Sequence, residues 1–103
     1  RLEERERLVQ SLGSREAMVL RNHGLLTTGA SIPECFNNMY RLERACELQV
    51  MALSCNTELQ LPPAEVTQYT NNLMLPGVRR RFGLLEWPAL LRKLDRVDTS
   101  YRD

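Results

Sequence analysis

The fold of this 103-residue chain is decided by residues 18–53, MVLRNHGLLTTGASIPECFNNMYRLERACELQVMAL. Two short apolar runs, 17–20 and 25–28, flank the polar tetrapeptide RNHG at 21–24. Short apolar runs bounded by a polar, glycine-containing turn are typical of buried β-strands. The pattern therefore predicts two short strands, or one bent strand, with the tetrapeptide at the break.

A long helix is predicted directly after the second apolar run. The segment SIPE at 31–34 is a capping box, in which Ser31 accepts from a free backbone amide and Glu34 reaches back. Pro33 is tolerated there because amides of the first turn have no helical partner. Apolar residues then recur at spacings of three and four, namely Cys35, Met39, Leu42, Cys46, Val50 and Leu53. This periodicity predicts one amphipathic helix that ends at about Ser54.

Three further helices complete the predicted inventory, at 2–12, from Pro62-Pro63 to 76–77, and from 86 to about 97. Two strands and about four helices place the chain in the α/β class, yet two strands alone make a marginal sheet. We therefore expect the strands to belong to a larger sheet. The chain also opens with RLEERERLVQ and not with methionine. We expect residues 1–103 to be the C-terminal portion of a larger domain whose upstream part is absent.

Composition narrows the possible functions. Fourteen Lys and Arg residues against thirteen Asp and Glu residues give a net charge of +1, which provides no electrostatic argument for nucleic acid or an anionic membrane as partner. No apolar run approaches the length that a bilayer requires. The three cysteines lack CxxC spacing, so we expect reduced thiols and a cytoplasmic protein. Cys35 and Cys46 are predicted to pack on the apolar face of the long helix.

The single histidine, His23, is the leading candidate for chemistry. An imidazole at the end of a strand, followed by glycine, suits a metal ligand or a general base, and the alternative is a histidine hydrogen-bonded within a polar turn. Glu43 and Glu47 could present two carboxylates, or else pair with Arg41 and Arg44. The arginines at 79–81 could clamp a phosphate or a neighbouring subunit, or else form a solvated turn.

Residues 18–53 resemble the class II aldolase/adducin family, in which an apolar strand ends in an N-H-G turn, a second strand ends in glycine, and a long helix follows. Residues 85–103, LEWPALLRKLDRVDTSYRD, resemble the C-terminal segment of bacterial members. The resemblance implies a three-layer α/β/α sandwich, of which this chain is the C-terminal portion, and a homotetramer. Active sites of this family borrow C-terminal residues across subunits, and Tyr101 is a candidate for such a residue.

The resemblance also implies a divalent metal, zinc or else manganese or another ion, held by three histidines. His23 matches the histidine of the N-H-G turn. The other two ligands, an H-x-H pair, and the acid/base carboxylate are expected upstream of this chain. These features imply a metal-dependent lyase that cleaves or rearranges a small hydroxy-carbonyl substrate, such as a sugar phosphate.

A non-catalytic, adducin-like interaction domain is the alternative function that the sequence leaves open. It would retain the fold without working chemistry, and the upstream ligands of the parent protein would distinguish the two. The isolated 103-residue chain is expected to bind metal poorly and to have no lyase activity.

Overall fold

A computed structural model of the chain describes residues 2–103; Arg1, the first residue of the predicted domain portion, lies outside the described residues. The elements in chain order are α1 (Leu2–Leu12), β1 (Ala17–Leu20), β2 (Gly24–Thr27), α2 (Ile32–Ser54), α3 (Ala64–Leu73) and α4 (Trp87–Asp95). A short 3-10 turn, Ser100–Arg102, follows α4. The predicted two strands and four helices are confirmed.

The two strands form an antiparallel hairpin, which decides between the predicted alternatives in favour of two strands. Their register runs from Ala17 opposite Thr27 to Leu20 opposite Gly24. The connecting loop is 21–23, and its backbone turns through positive φ angles at Asn22 (62°) and Gly24 (130°). Asparagine tolerates this region better than most residues, and glycine enters it without a Cβ penalty. The RNHG sequence therefore encodes the tight turn itself.

The capping box at the start of α2 is present with one difference from the prediction. Ser31 is extended and its Oγ accepts from the backbone amide of Glu34 at 3.3 Å. The carboxylate of Glu34, however, accepts from Ser31 Oγ at 2.7 Å and does not cap the backbone amide of Ser31. This geometry leaves the other carboxylate oxygen of Glu34 for a distant partner.

The segment before α4 lies directly against the first turn of α2. Gly83 is buried there with φ of 122°, and a Cβ at this position would stand 2.7 Å from the carbonyl carbon of Pro33 and closer still to its oxygen. Just beyond, the rings of Phe36 and Trp87 meet edge to face with centroids 5.5 Å apart. α4 is thereby fixed to the N-terminal half of α2.

Apolar surface is left uncovered over much of the molecule. Among residues 2–103 no apolar side chain is fully buried, and Cys35 and Cys46, predicted to pack on α2, are half-buried. The radius of gyration is 17.0 Å, whereas a compact domain of this length has a radius of about 13 Å. Val19 in the hairpin, for example, is 69% exposed. The hairpin and α2 thus present surfaces that suit the predicted larger sheet.

Within residues 2–103, no helix combines the length and the apolar character needed to cross a bilayer.

Candidate functional site

His23 lies in the loop of the β1–β2 hairpin and is exposed. Its backbone amide donates to the carbonyl of Leu20 at 3.3 Å, so the backbone closes the turn and the imidazole is not needed for that purpose. The left-handed Asn22 and the positive φ of Gly24 flank it and fix the direction of the loop. A side chain presented in this way can donate a nitrogen lone pair to a ligand.

Residues 2–103 contain one histidine, so they can supply one imidazole to a metal site and not a complete set of ligands. Structural and catalytic zinc sites take at least three protein ligands. In the part of the chain that the structure describes, no group of three or more His, Cys, Asp or Glu side chains is arranged to hold a metal ion. An imidazole is a suitable donor for zinc or manganese, so His23 fits such a centre as a single member.

A partly buried ion-pair network lies at the opposite end of the hairpin. The half-buried guanidinium of Arg81 contacts the carboxylates of Glu16 and Glu34, with Nε 3.0 Å from Oε1 of Glu34. The Ser31 hydroxyl, and after it the Arg81 guanidinium, lower the pKa of Glu34. Asn38 on α2 donates to the carbonyl of Thr28 at 2.9 Å. The network ties the hairpin, α2 and the segment before α4 together.

This network corrects one sequence-based interpretation. Arg81 does not belong to a solvated turn, because it is an internal link between segments that lie 47 and 65 residues away along the chain. Residues so far apart along the chain form no local sequence pattern. The ion pairs of Glu16 and Glu34 with Arg81 were therefore not predicted from the sequence. A glutamate in a capping box indicates only a helix start.

A second set of contacts surrounds Phe82. The guanidinium carbon of Arg41 lies 4.2 Å from the ring centroid, and that of Arg80 lies 4.6 Å from it. Arg80 also pairs with Glu86 at 2.7 Å, and Glu86 accepts from the backbone amide of Gly83 at 2.7 Å. The Arg80 side chain, followed by the Gly83 amide, lowers the pKa of Glu86 to about 2.

The remaining candidates make local contacts. Glu47 pairs with Arg44 at 2.5 Å on the exposed side of α2, which favours the ion-pair interpretation over a carboxylate site. The hydroxyl of Tyr101 donates to Asp95 Oδ1 at 2.6 Å, and Arg102 pairs with the same carboxylate. In residues 2–103, Tyr101 is therefore tied to the end of α4.

Comparison with known proteins identifies clear relatives. A family model described as the class II aldolase and adducin N-terminal domain matches residues 1–50. A protein of Caulobacter vibrioides, provisionally named an aldolase class 2 protein, is 45% identical over 99% of this chain and 40% of its own length. A Pseudomonas aeruginosa protein of the same provisional name is 44% identical over 97% of this chain. The chain thus spans about 40% of the length of these relatives.

Two further matches extend the comparison. Beta-adducin of Rattus norvegicus is 36% identical over 78% of this chain and 13% of its own length. The crystal structure of an aldolase II superfamily protein from Pseudomonas syringae superposes with a TM-score of 0.82 at 43% identity, covering 100% of this chain and 41% of that one.

Proposed function

This chain belongs to the class II aldolase/adducin family, and from that premise we propose a function for the whole protein. We propose that it is a metal-dependent lyase with His23 as one of its metal ligands. Its substrate would be a small hydroxy-carbonyl compound, and its metal zinc, with manganese as the next choice. We further propose that residues 1–103 form the C-terminal portion of the catalytic domain. The length of the relatives and the uncovered apolar surface of the hairpin and α2 support this division.

The placement of His23 carries the proposal. The histidine stands at the tip of a hairpin within a fold that matches an aldolase II superfamily structure. Nothing in the hairpin itself requires an imidazole, since the backbone amide of His23 closes the turn. An exposed imidazole on a rigid, backbone-closed turn is well suited to bind a metal at a fixed position.

The proposed chemistry depends on the Lewis acidity of a divalent metal ion and on the imidazole of His23 as its ligand. A divalent ion in such a site supplies Lewis-acid polarisation of substrate oxygens. A histidine binds a metal ion through the lone pair of a neutral imidazole nitrogen, which is the role proposed for His23. The positive φ angles of Asn22 and Gly24 shape the loop that carries His23, and the Arg81 network holds the far end of the hairpin on α2. The acid/base carboxylate is not assigned to this chain.

The similarity to beta-adducin favours a second candidate function. In that case the protein retains the fold as a non-catalytic interaction domain, and His23 is a surface residue of the hairpin. The two candidates differ in metal content, because an interaction domain has no need for a stoichiometric metal.

Metal analysis of the whole purified protein, by inductively coupled plasma mass spectrometry, tests the choice. The wild type should carry a stoichiometric divalent metal as purified, and His23→Ala should be purified with much less of it. Arg21→Ala is the matched control, since Arg21 is exposed in the same loop and its cationic side chain is not a metal ligand. A metal-free wild type, or an His23→Ala variant with full metal content, would favour the interaction domain. The homotetramer and the substrate class stay predictions from the family resemblance, and the cytoplasmic location stays a prediction from the cysteines.

A further inference from the structure

We propose that an arginine pocket at the end of the hairpin remote from His23 binds a phosphoryl dianion. The arginine pocket has a volume of about 200 Å³, and the residues that carry the argument are Asn37, Arg41, Arg79, Arg80 and Phe82. Its position lies between the first half of α2 and the segment that precedes α4.

Phe82 gathers two guanidinium groups at the arginine pocket. Arg41 and Arg80 both lie within cation–π distance of its half-buried ring, at 4.2 and 4.6 Å from the centroid. The ring faces attract each cation, which allows two like charges to converge. Asn37 and Arg41 are four residues apart on α2 and therefore share one face of the helix. An amide and a guanidinium thus reach the pocket from the same side.

The distribution of ion pairs leaves positive charge at this pocket. Arg81 has two carboxylate partners and Arg80 has Glu86. Among residues 2–103, neither Arg41 nor Arg79 forms an ion pair with a carboxylate. Four guanidinium groups in this region therefore meet three carboxylates, an excess of one positive charge, and the two guanidinium groups without a carboxylate partner line the pocket. The carboxylate of Glu16 also lines the pocket, but it contacts Arg81.

The charge and the volume point to the ligand class. A phosphate monoester carries a charge of about −1.5 to −2 at neutral pH, which matches two unpaired guanidinium groups. Arginine presents planar donor pairs that fit phosphate oxygens. Sites for drug-sized ligands usually have volumes of roughly 300–1,000 Å³, so this smaller space suits a phosphoryl group and little more.

The arginine pocket is separate from the proposed metal ligand. A backbone hydrogen bond of 2.8 Å between Thr28 and Glu16 joins the two ends of the hairpin. Both residues lie beside the Arg81 network. The four residues of β1 then span about 13 Å before the loop that carries His23. Anion binding here does not depend on a metal or on His23.

Isothermal titration calorimetry of the whole protein with inorganic phosphate, at constant ionic strength, tests the proposal. We expect saturable binding, and an affinity at least about tenfold weaker in Arg79→Gln and in Arg41→Gln, since each variant loses charge-assisted hydrogen bonds to the anion. Arg44→Gln is the matched control, because Arg44 is on the same helix and pairs with Glu47 away from the pocket. Its phosphate affinity should equal that of the wild type.

Competition with other anions identifies the charge of the ligand that the pocket binds, and an exposed variant controls for loss of folding. Sulfate should compete with phosphate, and acetate should not, because a single negative charge leaves one guanidinium unmatched. Arg79 is exposed, so Arg79→Gln should remain folded even if Arg41→Gln does not. The proposal is overturned if the whole protein shows no phosphate binding, if acetate competes as well as sulfate, or if Arg79→Gln binds phosphate like Arg44→Gln.

Discussion

Arg81 donates from Nε to Oε1 of Glu34 at 3.0 Å, and Glu34, 5% exposed, is the one buried polar side chain in residues 2–103. Loss of the guanidinium would leave a buried carboxylate without its cation, which is unfavourable. We therefore expect Arg81→Met to lower the melting temperature of the whole protein more than Arg80→Met, because Arg80 forms an exposed pair with Glu86.

A double-mutant cycle provides the control for this prediction. Glu34→Gln removes the buried charge, so Arg81→Met should cost less in that background than in the wild type. Equal costs in the two backgrounds, measured by thermal unfolding, would show that the ion pair does not link α2 to the segment before α4.

The close approach of Gly83 to Pro33 predicts a large effect of a single methyl group. In Gly83→Ala the new Cβ meets the Pro33 carbonyl, and the backbone keeps φ of 122°. We expect a loss of about 3 kcal/mol in the free energy of unfolding from overpacking and backbone strain together. Gly77→Ala is the control, since it has positive φ and no atom within 4 Å of the new Cβ. Its cost should be about 1 kcal/mol, and similar values for the two variants in urea unfolding would contradict the close contact.

The lowered pKa of Glu86 predicts a pH-dependent contribution to stability. The ordinary value of 4.5 falls to about 2 in the folded protein. The contribution is therefore present in full above pH 4.5 and is lost as the pH falls towards about 2. Melting curves should show Glu86→Gln less stable than wild type above this range, with the difference shrinking as the pH is lowered. Glu58→Gln, which changes an exposed loop carboxylate, should show no such convergence.

The uncovered apolar surface predicts how the 103-residue chain behaves alone. Without a fully buried apolar side chain in residues 2–103, little hydrophobic free energy opposes the conformational entropy of the unfolded chain. We expect the isolated chain to bind a hydrophobic dye such as ANS and to melt without a sharp transition, in contrast to the whole protein. A cooperative calorimetric transition of the isolated chain would contradict this expectation.

Local sequence signals predicted most of the fold. The Ser31 cap, the regular apolar spacing of α2 and the polar RNHG turn each depend on neighbours within a few residues, and the structure confirms all three. The family resemblance likewise depended on a continuous stretch, residues 18–53. His23 was predicted to be a metal ligand from the same stretch, as the only histidine of the sequence, and this role stays a prediction.

Local sequence patterns did not predict the tertiary ion pairs. Glu16, Glu34 and Arg81 are ordinary charged residues in sequence, and only the folded chain shows that they meet. Phe82 and Arg41 come together in the same way, from the loop before α4 and from α2. The sequence therefore predicted which elements form, and the three-dimensional structure was needed to show what holds them together.

The central claim is that His23 is a metal ligand, and X-ray absorption at the edge of the bound metal tests it most directly. Imidazole rings produce a characteristic multiple-scattering signal in the extended fine structure. In the whole protein, we expect metal reconstituted into His23→Ala to show one imidazole fewer than in the wild type, while Arg21→Ala keeps the wild-type signal. An imidazole signal that is identical in His23→Ala and the wild type would contradict the claim.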